Sequence, residues 1–122
     1  GGKVRIRRPD VAFVGNAKLA RYGIPAGQAL YAPDLAAEVI SPKDLAEEIA
    51  DKVNDYLAAG VQLVWILDPT AKKVQVYRPD GRGVILSIHD ELDGEDVVPG
   101  FRCKLAQLFD APALKIKPKL ES

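Results

Sequence analysis

Glu38 stands in a run, Leu35-Ala36-Ala37-Glu38-Val39-Ile40, whose other members belong in a protein interior. Carboxylates are rarely buried without a partner, so an acid in that company either faces water at a strand end or takes part in chemistry. Two more acids stand upstream: Asp34 opens the same run, and Asp10 lies in Pro9-Asp10-Val11 at the end of an earlier strand-like stretch. Lys52 follows on the next segment. Two acids and a lysine are the parts of a metal-dependent centre for phosphodiester hydrolysis.

Such parts work only if the elements bring them together. Side chains alternate along a strand, so Asp34, Ala36, Glu38 and Ile40 share one face. Back from the Ser41-Pro42 turn, Glu38 lies roughly 13 Å into its strand at ~3.3 Å per residue. Forward from it, Lys52 lies roughly 15 Å into a helix at ~1.5 Å per residue. A helix that folds back across the sheet therefore puts Lys52 beside Glu38. On the helical wheel Lys52 borders the Leu45, Ile49, Tyr56 stripe, from which it can reach inward.

The remaining pattern supplies the frame. Residues 3–14 suit two strand pieces broken by Pro9, which marks an edge or a bulge. Gly15 to Pro33, with Gly23, Pro25 and Gly27 and little periodicity, reads as a long excursion. From Pro42 an amphipathic helix runs to Gly60, over about 43–59. The nearly continuous apolar run Val61 to Leu67 is expected to be a central strand parallel to the Glu38 strand, giving a right-handed strand, helix, strand crossover. Lys73 to Arg78 and Val84 to Ile88 flank Pro79-Asp80-Gly81-Arg82-Gly83 as an antiparallel hairpin appendage. Glu91 to Pro99 is acidic and turn-rich, and Leu105, Leu108 and Phe109 suggest a short closing helix.

With 122 residues, 48% hydrophobic and 28% charged, the chain can bury one ordinary core, so a single domain over 1–122 with a tail at 111–122 is expected. Seventeen cations balance seventeen anions, so no global basic field advertises nucleic acid. One cysteine, Cys103, excludes an internal disulfide, and one Cys with one His, His89, cannot build a Cys/His zinc site. Any metal would be held by oxygen, which favours magnesium or manganese. No stretch is apolar enough to cross a membrane or to act as a signal peptide, making the cytoplasm the expected location. The chain lacks Met, starts Gly1-Gly2 and enters a strand almost at once, so a natural segment is expected to precede it.

Each candidate has a plainer reading. A lysine bordering an apolar stripe commonly extends to water, and Asp10 or Asp34 after proline is commonly a turn acid. Ser41 lacks a nucleophile-elbow context and His89 lies in a hairpin region, so both have the character of structural residues. Cys103 between Arg102 and Lys104 has the character of an inert, partly buried thiol, Trp65 that of core, and Gly81-Arg82-Gly83 that of a turn. Glu38 resists such a reading, and its coincidence with Asp10 and Lys52 favours function.

The ordered set Pro9-Asp10-Val11, Pro33-Asp34-Leu35, Glu38-Val39-Ile40-Ser41-Pro42, Lys52 with Tyr56, Gly60-Val61, Trp65 and Asp68-Pro69 resembles the Uma-two family, a branch of the PD-(D/E)xK nuclease superfamily. The resemblance runs from about Val4 to Phe109. It implies an α/β fold of restriction-endonuclease type, with a mixed central sheet, and a Mg (or Mn) ion held by acids on adjacent strands. By that resemblance Asp10 and Glu38 are metal ligands, with Asp34 as an additional candidate, and Lys52 orients or polarises the attacking water. Two departures stand out. The superfamily usually carries its lysine two residues after the glutamate, where this chain has Ile40, and family members usually begin with a helical region that is missing before Asp10.

Three functions are therefore expected to compete: a magnesium-dependent endonuclease acting on DNA; an inactive nuclease-like domain that binds nucleic acid or protein; and an α/β domain forming a homodimer through the 73–88 hairpin.

Overall fold

A computed structural model describes residues 9–22 and 31–111. The strand expected at Val4 and Ile6, the Gly23, Pro25 and Gly27 part of the excursion, and positions 112–122 of the expected tail lie outside the described residues. Five strands form the main sheet: β1 (Val11–Phe13), β2 (Leu35–Val39), β3 (Leu63–Asp68), β4 (Lys73–Tyr77) and β5 (Gly83–Leu86), side by side in that order. The β2–β3 pair is parallel and the other three are antiparallel, so the sheet is mixed, as expected.

Two parallel neighbours need a crossover between them, and α1 and α2 divide the connecting work differently. Helix α1 (Asn16–Tyr22) fills part of the β1–β2 connection, where the sequence pattern predicts an excursion with little periodicity. Helix α2 (Ala46–Ala58) makes the β2–β3 crossover, starting three residues later than expected. Its end is set by Gly60, whose φ of +98° suits glycine and few other residues.

Alternation along β2 assigns its residues to two cores. Leu35, Ala37 and Val39 face a cluster with Leu63, Trp65, Leu67, Val74 and Val76. This face is closed by Leu92 of β6 (Glu91–Asp93), which pairs antiparallel with β7 (Arg102–Lys104), and by Leu105 of the short helix α3 (Leu105–Leu108). Trp65 belongs to this core as expected, its ring tilted against Phe101 at 5.7 Å. The 91–99 stretch, read from sequence as turns, thus contains one strand of a small ribbon. Ala36 points the other way, against Val53 and Tyr56 of α2 and Val61, Val64 and Ile66. Both faces of β2 and β3 are covered, which is why their sequences read as continuous apolar runs.

The crossover helix sits directly over the β2–β3 pair because small Ala36 leaves room for it. Ala36 is fully buried at the centre of that contact. Ala36→Leu is therefore expected to destabilise the chain by about 1–3 kcal/mol through overpacking, read as a lower urea midpoint with an unchanged slope; an unchanged midpoint would mean that α2 is not seated there.

Candidate functional site

Glu38 shares the Ala36 face of β2 and is 5% exposed, so it is a carboxylate under a helix. Its burial pushes the carboxyl above its ordinary value of 4.5. The Tyr56 hydroxyl, which donates to Glu38 Oε1, pulls it back, and so does the Lys52 charge, while the neighbouring Asp10 carboxyl adds to the upward shift. Glu38 is thus placed where its charge is costly and where opposing groups converge.

Asp10 arrives by strand register. β1 runs antiparallel to β2 with Val11 opposite Ala37, so one step further along puts Asp10 opposite Glu38. Asp10 Oδ2 accepts from the Val39 N–H at 2.8 Å, which holds the aspartate against the end of β2. Unlike Glu38, Asp10 is exposed.

Lys52 arrives by helical spacing. It lies three residues after Ile49 and four before Tyr56, both of which pack on the β2–β3 face, so the same side of α2 carries it inward. Lys52 is half-buried. Asp10, Glu38 and Lys52 line one cleft of about 110 Å³, together with Val39, Ile40, Asp44, Glu48 and Ile49.

Asp34 does not join them. Although it shares a strand face with Glu38, it lies at the opposite end of β2, roughly 13 Å away at ~3.3 Å per residue. There Asp34 Oδ2 accepts from Gly15 N–H at 2.6 Å, and Oδ1 pairs with Lys18 Nζ at 3.2 Å. These contacts fasten the start of α1 to the start of β2.

Two acids in the cleft lie outside the sequence-based set. Asp44 Oδ2 accepts from Ser41 N–H at 2.8 Å, and Glu48 Oε1 accepts from Leu45 N–H at 3.4 Å. Leu45, at the N-cap of α2, has no side-chain acceptor of its own, so these acids serve the turn into α2. The spacing Ser41 to Asp44 and Leu45 to Glu48 is the signal that could have found them. Tyr56 lies on the apolar stripe of α2, yet its hydroxyl reaches Glu38, a contact that no apolar period signals. Ser41 is a turn residue, its Oγ accepting from Lys43 N–H at 3.3 Å.

Residues 3–106 match the Uma2 family, described as "Putative restriction endonuclease". The chain belongs to the Uma2 family. The crystal structure of "a putative nuclease belonging to DUF820" from Anabaena variabilis ATCC 29413 is similar, with a TM-score of 0.61 and 24% identity over 66% of this chain and 46% of that one. At that identity the likeness speaks for the fold, and this chain spans about half the length of that protein. No curated protein matches the sequence. The restriction-endonuclease-like fold expected for a Uma2 member agrees with the mixed sheet and its crossover helix.

The donor set at the Uma2 cleft suits a hard divalent cation. Asp10 and Glu38 both offer carboxylate oxygens there, and a cation would relieve the upward push that burial and Asp10 exert on Glu38. Among the described residues no three acidic, His or Cys side chains form a metal cage. With two carboxylates alone, Mg²⁺ would need water and phosphate oxygens to complete its shell.

A carboxyl whose value is raised by folding binds its proton more tightly in the folded chain. Without metal, stability is therefore expected to fall as pH rises from about 4.5 through the raised value of Glu38. Urea melts across pH 4–8 in a chelator should show this slope, and Glu38→Gln, which keeps an acceptor for Tyr56, should flatten it. Equal slopes in both proteins would mean that Glu38 is not the titrating group.

Proposed function

We propose that this chain is the nuclease unit of a metal-dependent endonuclease hydrolysing DNA phosphodiester bonds. The carrying observation is the convergence of Asp10, Glu38 and Lys52 on one cleft from three separate elements. Family membership supports DNA as the substrate class. Asp10 and Glu38 would hold Mg²⁺ or Mn²⁺, and the bound cation would polarise the phosphate and lower the pKa of water.

The chain's own residues have distinct tasks in this scheme. Asp10, just before β1 and held by the Val39 N–H, and Glu38, on β2 and held by the Tyr56 hydroxyl, present fixed oxygens side by side. Lys52 places a positive charge beside them, where it orients the attacking water and offsets negative charge that builds on the phosphate. Ile40 and Ile49 give the cleft apolar wall, which limits competing solvent around those charges.

A second reading, an inactive nuclease-like domain that binds nucleic acid or protein, draws support from the zero net charge. It requires no cleavage under any metal condition. The two readings separate in an assay of plasmid nicking with Mg²⁺ or Mn²⁺. The endonuclease reading expects cutting by the unaltered chain and a fall on the order of 10²–10³-fold or more in Lys52→Ala. It expects a comparable or greater loss in Glu38→Ala. Asp34→Asn should lower thermal stability and spare the rate, because it loosens α1 and leaves the cleft alone. Undiminished cutting in both Glu38→Ala and Lys52→Ala would remove the proposed centre.

A further inference from the structure

Tyr56 is 3% exposed, and its hydroxyl donates to one particular oxygen of Glu38, Oε1. A buried phenol gains from its ring and loses from its hydroxyl unless an acceptor is found. Tyr56 and Lys52 sit one turn apart on α2, so one helical face delivers a hydroxyl and an ammonium to the same carboxylate. Their effects differ in kind. The charge of Lys52 acts on the carboxylate as a whole, whereas Tyr56 engages a single atom.

The surroundings keep the carboxylate from escaping that contact. The Glu38 backbone lies in β2 between β1 and β3, with Ile66 as its partner in register. Ala36, on the same face of β2, is buried in a cluster with Val53, Tyr56 and Ile66, and Glu38 itself is 5% exposed. The Tyr56 hydroxyl takes one lone pair of Oε1, so a cation gripped by both oxygens would share Oε1 with that donor, whereas a cation on the other oxygen alone leaves the hydrogen bond undisturbed. Ca²⁺ takes six to eight oxygens at about 2.3–2.6 Å and readily uses both oxygens of a carboxylate, whereas Mg²⁺ demands near-octahedral geometry at about 2.0–2.1 Å.

Resting on the metal-site reading above, we infer that Tyr56 is a positioning residue that confines Glu38 to one-oxygen coordination and so favours Mg²⁺ and Mn²⁺ over Ca²⁺. The hydroxyl selects the cation without touching it. Tyr56→Phe keeps the ring and its packing while freeing Oε1.

Calorimetric titration of MnCl₂ and CaCl₂ into the unaltered chain, Tyr56→Phe and Glu38→Ala tests this. The inference expects Glu38→Ala to lose both cations. In Tyr56→Phe it expects Mn²⁺ affinity to fall by about tenfold, the lower end for losing a hydrogen bond that orients a ligand. Ca²⁺ should fall much less or gain, so the Mn²⁺ preference narrows. A role in packing alone would weaken both cations alike or neither, and either result overturns the inference. Infrared spectra of the unaltered chain loaded with Ca²⁺ serve as a check that needs no foldable Tyr56 variant. One-oxygen coordination predicts a wide separation of the two carboxylate stretching bands, and a narrow separation overturns the proposal. An unaltered chain that binds neither cation overturns the metal-site reading itself, and the inference falls with it.

Discussion

Burial of the Glu38 carboxylate is the constraint around which the rest of the sheet is organised. A charge in the middle of a covered strand face is costly unless donors and opposing charge meet it there. Helix α2 answers that cost by bringing Tyr56 and Lys52 from above, and β3 holds the backbone of β2 in place, while Asp10, set beside Glu38 by the β1 register, adds a second carboxyl and raises the cost. The balance is not neutral, because the carboxyl stays shifted upward after all contributions. A site built for protein stability alone would place an apolar residue at position 38, as at Ala36 on the same face.

The contrast with Asp34 shows what strand geometry can and cannot decide. Both acids lie on one face of β2, yet their environments differ completely. Asp34 meets a main-chain N–H and a lysine at the start of α1, a self-contained structural arrangement. Glu38 meets a second acid, a lysine and a buried phenol beside an open cleft. Sharing a face is therefore a weak criterion. The stronger one is which element covers each end of the strand, and that depends on where the crossover helix lands.

Much of this was legible in the sequence where local pattern and long-range packing agree. The apolar runs at 35–40 and 61–67 could only be covered strands, and the helical stripe between them had to fold back over their pair, which brings Lys52 to Glu38. Other parts were hidden for identifiable reasons. Helix α1 is seven residues long and stands among glycines and prolines, so its periodicity never accumulates. β6 and β7 are three residues each and exist through their mutual pairing across the 94–101 loop, which no local period reveals. Tyr56 was legible as apolar and illegible as polar: ring and hydroxyl serve different neighbours, and the partner of the hydroxyl is fixed only once β2 and α2 are in register.

The position of the lysine follows from the same layering. Ile40 occupies the place two residues after Glu38, on the face that α2 covers, and it packs into the cluster with Ile49, Val53 and Tyr56. A lysine at 40 would have to carry its charge through that apolar contact, loosening the helix that supplies Tyr56. An ammonium at position 52 keeps the strand end apolar and lets the covering layer deliver the charge. The exchange works because strand and helix meet at a fixed spacing, so a side chain rising from the sheet and one descending from the helix reach the same point. A positive charge can thus be set beside the two carboxylates from either side of the interface between sheet and helix.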